Sequence, residues 1–478
     1  MEIMRDRLPC GTGAILAVAA SGPLLVLIAF TVPLTTLTDT AIALNAGPGA
    51  QAWIMSAIAV GAASGLLGSG AIGDDYGRRR AFVVGALVLA GASGVAAMAP
   101  TALLLVLARV LQGLGGAAIL ACGLGLVGQI FPSGPARVRA TGVWAAAIGA
   151  GVAIGPVLSA LLADVGGWRL PYLATALGGG ALALAGWTVL PESRSPTPRR
   201  IDFIGTLLIG SGLAALLSGL VELRAGWGQS SAFVLLATGL ILLVGFVAVE
   251  RRMSDPMLDL GLFQRPAFVG ATVAALAAGT GVLSLASFVP TLLERAMGVD
   301  TALAAAVLMA WSATSVLTAF GVRWLPTSTT PRSLLVIGLL GAGGGQLGLY
   351  GLAPDSSLWR LLPPLLLAGL AYGVLNAALG RQAVESVPAD RTAMGGGANN
   401  TARFLGSSIG LTIVTLLVTS PDGTATPERL LSGWNAAVLI TASASLSGAL
   451  VVLLARGRTV RTASAPEDTV DATGDVPS

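Results

Sequence analysis

The chain has 478 residues, 54% hydrophobic and only 10% charged, with a mean hydropathy of +0.84; a soluble domain carries about a quarter charged residues, so this composition is built for lipid. The net charge of +4 rests on 27 basic residues, all arginine and scattered through short loops, which is not the clustered patch of a nucleic-acid binder. Histidine is absent, which excludes HExxH zinc sites and Ser-His-Asp triads, and two cysteines, Cys10 and an apolar-span Cys122, make no disulfide framework.

Fourteen apolar segments follow in order. The first, residues 14–38, is too long for a signal h-region and lacks a small-x-small cleavage site, so it reads as a span; Asp39 closes it. The second, 51–72, runs into Gly70-Ala71-Ile72-Gly73-Asp74-Asp75-Tyr76-Gly77-Arg78-Arg79-Arg80 before the third, 81–99. Its glycines permit a tight reversal, and Asp74 can accept from helix N-termini and arginines. The fourth, 101–130, carries Arg109-Val110-Leu111-Gln112-Gly113-Leu114-Gly115-Gly116-Ala117. An arginine inside lipid costs about 2.5–3.5 kcal/mol on insertion scales and needs a cavity or a partner.

The fifth segment, 139–163, carries Trp144 and Gly151-Val152-Ala153-Ile154-Gly155-Pro156, a smooth face with a bend. The sixth, 168–190, leads into Pro191-Glu192-Ser193. The seventh and eighth, 203–223 and 231–250, are framed by Ile201-Asp202-Phe203, Gly226-Trp227-Gly228, Glu250-Arg251-Arg252 and Asp255-Pro256. Next come 267–293, ended by Glu294; 302–322 with Trp311; 333–353; and 358–380 with Asn376. The thirteenth, 395–419, begins with Asn399-Asn400-Thr401-Ala402-Arg403-Phe404-Leu405-Gly406, and the fourteenth is 433–455. Residues 459–478 lack apolar periodicity and are expected to be disordered. Segments this long satisfy their backbone in hydrocarbon only as helices, so the fold class is an all-α polytopic membrane protein.

Orientation follows from the arginines. With the N-terminus inside, twenty of the 27 fall on the cytoplasmic side, five outside, and two, Arg109 and Arg403, within spans. Both termini are then cytoplasmic, which requires an even number of spans.

Four of these stretches, taken together, resemble the major facilitator superfamily. They are the 70–80 loop, the Arg109–Ala117 run (the family's RxxQGxGxA), the Gly151–Pro156 run (its GxxxGP antiporter signature) and the 399–406 run. The sequence from Pro191 to Pro256 is similar to the extra hairpin of the fourteen-span drug:proton antiporters. The resemblance implies two six-helix bundles, 1–196 and 263–458, with an inserted hairpin at 197–262 and a cytoplasmic tail at 459–478. It also implies a monomer in the bacterial inner membrane, without cofactor or metal. Such a protein exports small amphipathic or hydrophobic compounds by alternating access and proton antiport.

By the same resemblance, Gly70, Asp74, Gly77, Arg78 and Arg79 form a conformational latch, and Gly151, Gly155 and Pro156 form the antiporter motif. Asp75 departs from the pattern, which has a basic residue there; the extra acid is expected to weaken or re-wire the latch, and restoring a basic residue should be tolerated. Gln112, Asn376, Asn399, Arg403, Trp144 and Trp311 are the expected polar and aromatic points of an apolar cavity. The family's mid-span acid in the first span is missing, with Ala29 near its place. Asp39, with Arg109 as the fixed charge, is therefore the first candidate proton carrier, and Glu294 the next. Two other functions stay open: a dedicated exporter of one endogenous metabolite, lipid or antibiotic, and a non-transporting membrane receptor.

Overall fold

The computed structural model describes residues 11–131, 134–196, 199, 202–224, 226–253, 256–325, 329–419 and 426–455. The 459–478 tail, Cys10 and Asp255 lie outside the described residues. A first group of helices comprises α1 (Thr12–Thr31), α2 (Pro33–Leu44), α3 (Pro48–Tyr76), α4 (Arg78–Ala97), α5 (Ala102–Ile130), α6 (Pro135–Gly166) and α7 (Leu170–Val189). Then come α8 (Phe203–Leu223) and α9 (Ser230–Glu250). A second group comprises α10 (Pro266–Ala277), α11 (Ser284–Met297), α12 (Thr301–Gly321), α13 (Pro331–Leu347), α14 (Leu358–Glu385), α15 (Thr392–Val418) and α16 (Pro427–Leu454). A π-helical stretch, Ala278–Leu283, joins α10 to α11 into one rod.

Two sequence expectations change here. The first span is not one helix. Pro33 has no N–H to give the Ala29 carbonyl, so the chain breaks at Val32 and resumes as α2, beyond the expected end at 38. The span count also changes. Twelve described helices are long and apolar enough to cross a bilayer, not the expected fourteen. The apolar stretch described in α12, Ala306–Gly321, is shorter, and α13 stops after 17 residues instead of reaching 353. Gly343, Gly344, Gly345 and Gly348 crowd the end of α13, where backbone entropy opposes further helix.

The outer surface is apolar in stripes. On α5, Leu103, Leu107, Leu111 and Leu114 are exposed at helical spacing while Arg109 and Gln112 point inward, fully buried. Exposed Ile154, Val157 and Leu161 repeat the pattern on α6. A surface of this kind suits hydrocarbon, where the inside-out assignment of polar groups is enforced by desolvation.

Small residues let the helices approach closely. On α6, a Cβ at Gly151 would stand 2.7 Å from the Leu24 carbonyl of α1, and one at Gly155 would strike Thr31. The sequence GxxxGP run is thus the seam between α6 and α1, as its small residues require. The α8–α9 pair packs on itself and lays α8 along α3 and α15, with Leu67, Ile209, Leu213, Phe246 and Met394 in one apolar cluster.

Candidate functional site

The two helix groups meet most closely at the end carrying the 70–80 loop. A Cβ at Gly70 would stand 2.5 Å from the Ala393 carbonyl, so α3 and α15 touch backbone to backbone there. Gly125 of α5 abuts Ala393, Gly128 abuts Val384 of α14, and Gly142 of α6 abuts the Ala319 carbonyl of α12. Towards the other end α2 packs chiefly within its own group, on α3, α6 and α1.

A charged cluster sits on this seam. Asp74, fully buried, accepts from the backbone N–H of Ala393 (3.0 Å) and Met394 (2.7 Å). These are free donors of the first turn of α15, where the helix dipole favours an anion. Its Oδ1 also accepts from Arg78 Nε at 2.7 Å. Arg78 in turn donates to the Asp390 carbonyl (2.9 Å) and to Ser193 Oγ (2.7 Å). Gly77, at φ 124°, makes the reversal that puts Asp74 and Arg78 on one side. Arg79 does not enter this core; with Arg80 it pairs with Glu192 at the rim, at 3.7 and 3.5 Å, and lies 5.0 Å from the Trp187 ring.

Asp75 belongs to the same cluster. Its carboxylate takes Arg391 Nη1 at 2.8 Å, a buried ion pair between the two helix groups, and the Arg199 N–H at 3.2 Å. The expectation that a basic residue is tolerated at position 75 therefore fails on geometry: it would face Arg391. Sequence reading missed Arg391, Asp390, Ser193 and Ser195, because their partners lie far away along the chain.

Arg109 has a local explanation. Its Nη1 donates to the Ala29 carbonyl (3.0 Å) and Gln112 Oε1 (3.3 Å), and its Nη2 to the Phe30 carbonyl (3.2 Å). Ala29 is the carbonyl that Pro33 leaves without a donor, so Arg109 staples the break between α1 and α2. Gln112 is locked as well, donating to Ser93 Oγ at 2.8 Å. The structure does not bring Asp39 to this arginine. Asp39 is exposed on α2, nine residues beyond Phe30, about 14 Å at the helical rise. Glu294 is half-buried near the end of α11.

Of the remaining expected cavity residues, Arg403, Asn376 and Trp311 come together, with Asn399 as an exception. Arg403 donates from Nη1 to Asn376 Oδ1 at 2.8 Å and from Nη2 to Asn400 Oδ1. Asn376 Nδ2 reaches the Ala145 carbonyl of α6 at 3.3 Å, crossing between the helix groups. The Tyr372 hydroxyl faces Arg403, and Tyr372 stacks on Trp311 at 5.2 Å. Trp144 is buried beside Ala145. Next to Arg403, Phe404 stacks on Phe30 at 5.8 Å. Asn399 is the exception: it faces α10, donating to the Ala271 carbonyl at 3.1 Å. Sequence reading missed Tyr372 and Asn400, which differ in no way from other in-span residues until α14 and α15 are packed.

Near the opposite end, α8 ties the groups laterally. Trp53 Nε1 donates to Glu222 at 2.6 Å. Arg224 reaches Ser56 of α3 (3.0 Å) and Thr412 and Ser408 of α15 (3.1 and 3.4 Å). Burial lowers the pKa of this guanidinium to about 10.

The sequence matches one family description, the Major Facilitator Superfamily, over residues 14–411. The chain belongs to that superfamily. Among similar members, the probable actinorhodin transporter of Streptomyces coelicolor is 31% identical over 380 residues. That match covers 76% of this chain and 64% of the relative, so less than two thirds of the relative's length is spanned. The puromycin resistance protein pur8 of Streptomyces alboniger is 30% identical over 413 residues, covering 84% of this chain and 81% of the relative. In structure, the chain matches the proton:xylose symporter XylE with a TM-score of 0.69 at 15% identity, over 94% of this chain and 96% of that one, a likeness of fold.

Proposed function

We propose that this superfamily member exports small amphipathic or hydrophobic compounds by alternating access, with protons as the coupling ion. The observation that carries the reading is the charged cluster at the loop end, where Asp74, Asp75, Arg78 and Arg391 tie the helix groups by bonds that can be released. A molecule latched at one end and able to release that latch can expose a central path to each side in turn. The relatives named for actinorhodin transport and puromycin resistance support a lipophilic cargo. The narrower alternative, one endogenous metabolite, has support from the first of those names.

In this reading the arginine-rich loop end is cytoplasmic, both termini are inside, and the protein is a monomer in a bacterial inner membrane. Counting α12 and α13 as spans gives fourteen, arranged as bundles 1–196 and 263–458 with α8–α9 as a hairpin inserted at 197–262. Asp39 and Glu294 are the candidate proton carriers; Arg109 acts through the α1–α2 break it holds. Purified protein in sealed liposomes, with the neutral 1-naphthalenemethanol as the first probe and puromycin as a second, should release protons as substrate moves. Asp39→Asn should abolish uphill export and keep downhill exchange. Transport with no proton movement would remove the coupling, and no transport of any probe would favour a receptor.

A further inference from the structure

We propose that the Arg403 cluster is an acid-group subsite, and that the preferred cargo is an organic anion with an aromatic body. This rests on the transport reading above and narrows it to a substrate class.

The argument begins with charge. Buried arginines at the loop end have carboxylate partners: Arg78 has Asp74 and Arg391 has Asp75. Deeper in the bundle, Arg403 has none among the described residues. It is 5% exposed and is held only by the side-chain oxygens of Asn376, Asn400 and Tyr372. An arginine carries five N–H donors and cannot give up its charge. Neutral amide oxygens hold the guanidinium in place without neutralising it.

Arg109 makes the contrast. It too has no carboxylate partner among the described residues, and its Nε is buried without an acceptor, but both its Nη atoms reach backbone carbonyls beside the α1–α2 break, so its placement has a structural cause. No broken helix explains Arg403. Its amide frame instead leads across the seam, through Asn376 to Ala145.

The surroundings fit an aromatic acid. Trp311 lies against Tyr372, and its indole N–H is buried without an acceptor. Buried donors without acceptors are rare in proteins. A carboxylate or phenolate supplies the acceptor atoms and the negative charge that this corner lacks, while the rings supply stacking area. A cationic compound would meet an uncompensated guanidinium in a medium of low dielectric, where repulsion is strong.

The test uses one ring system with three head groups: 1-naphthoate, 1-naphthalenemethanol and 1-naphthylmethylammonium, titrated against the full chain in lipid nanodiscs by tryptophan fluorescence. The expected order is anion first, neutral next, cation last, with anion over neutral by about tenfold or more, the worth of a charged hydrogen bond. Arg403→Gln should remove the anion's advantage and leave the neutral probe within about twofold; Arg403→Lys, keeping charge but not the fork, should retain part of it. Equal or tighter binding of the ammonium probe by the unaltered chain would overturn the proposal, and that comparison needs no variant to fold. An anion preference that survives Arg403→Gln would also overturn it. Liposome counterflow of the neutral probe separates the two readings. If the neutral probe moves while the anion is not preferred, export stands and the anion site falls; if no probe moves, the transport reading itself fails.

Discussion

Asp74→Asn is the variant whose effect can be worked furthest from the structure. The carboxylate makes two hydrogen bonds that exist only while the helix groups are closed at this end, to Ala393 and Met394 of α15 at 3.0 and 2.7 Å. Its bond to Arg78 stays within one group, and should persist when the groups part. Asparagine keeps one oxygen but turns an NH2 towards an N–H donor, so one cross-group bond is lost and the other loses its charge. Hydrogen bonds to charged groups contribute about 1.5–3 kcal/mol each and neutral ones about 0.5–1.5. The closed state therefore loses about 3 kcal/mol relative to the open one, which is about a hundredfold in their ratio.

The assay is alkylation of Val384→Cys in a background in which Cys10 and Cys122 are serine. Val384 is 2% exposed and pressed against Gly128 across the seam, so its thiol reacts only when this end opens. Asp74→Asn should raise the alkylation rate steeply and lower transport, with expression and melting temperature little changed. If the rate is unchanged while added substrate still alters it, the cross-group bonds do not hold the closed state. The loop would then be a topology signal only.

Other outcomes follow from the same geometry. Asp75→Arg breaks a buried ion pair and sets two guanidiniums face to face; it should raise Val384→Cys alkylation about tenfold or more, and adding Arg391→Asp should reverse part of the effect. Gly70→Val inserts a side chain where α3 meets the Ala393 carbonyl; overpacking of about 1–3 kcal/mol should favour the open end, read by the same thiol. Arg109→Ala leaves the Ala29 carbonyl without a donor and should destabilise the protein by about 1–3 kcal/mol in a detergent melting assay, whereas Asp39→Asn should not shift the melt. A cysteine at Pro196 should be shielded from an impermeant reagent outside intact cells and one at Gly423 should react; the reverse pattern would invert the orientation.

The sequence by itself determined the class and the placement of most helices, because hydrocarbon forces apolar runs into helices whatever their neighbours. It also marked where the chain must come close to itself. Gly70, Gly151 and Gly155 sit in recognisable short motifs, and each lies on a seam where a side chain would collide. Asp74 was legible for a similar reason: an acid among glycines at a helix end has few uses besides accepting N–H groups.

What the tertiary structure decided is who stands opposite whom. Asp75 reads as an anomaly until Arg391, 316 residues away, closes on it. Arg109 and Asp39 read as partners because both belong to the same end of neighbouring spans. Pro33 broke that inference: it interrupted the span and turned the Ala29 carbonyl into the arginine's acceptor, while Asp39 stands exposed on α2. Arg403 shows the converse case. Its burial was legible from its place in an apolar run. Its lack of a counter-charge among the described residues could be known only once α6, α12, α14 and α15 had packed around it with amides and rings. Helix formation is local and leaves its signature in spacing. Charge compensation is set by three-dimensional neighbours, and spacing along the chain does not encode them.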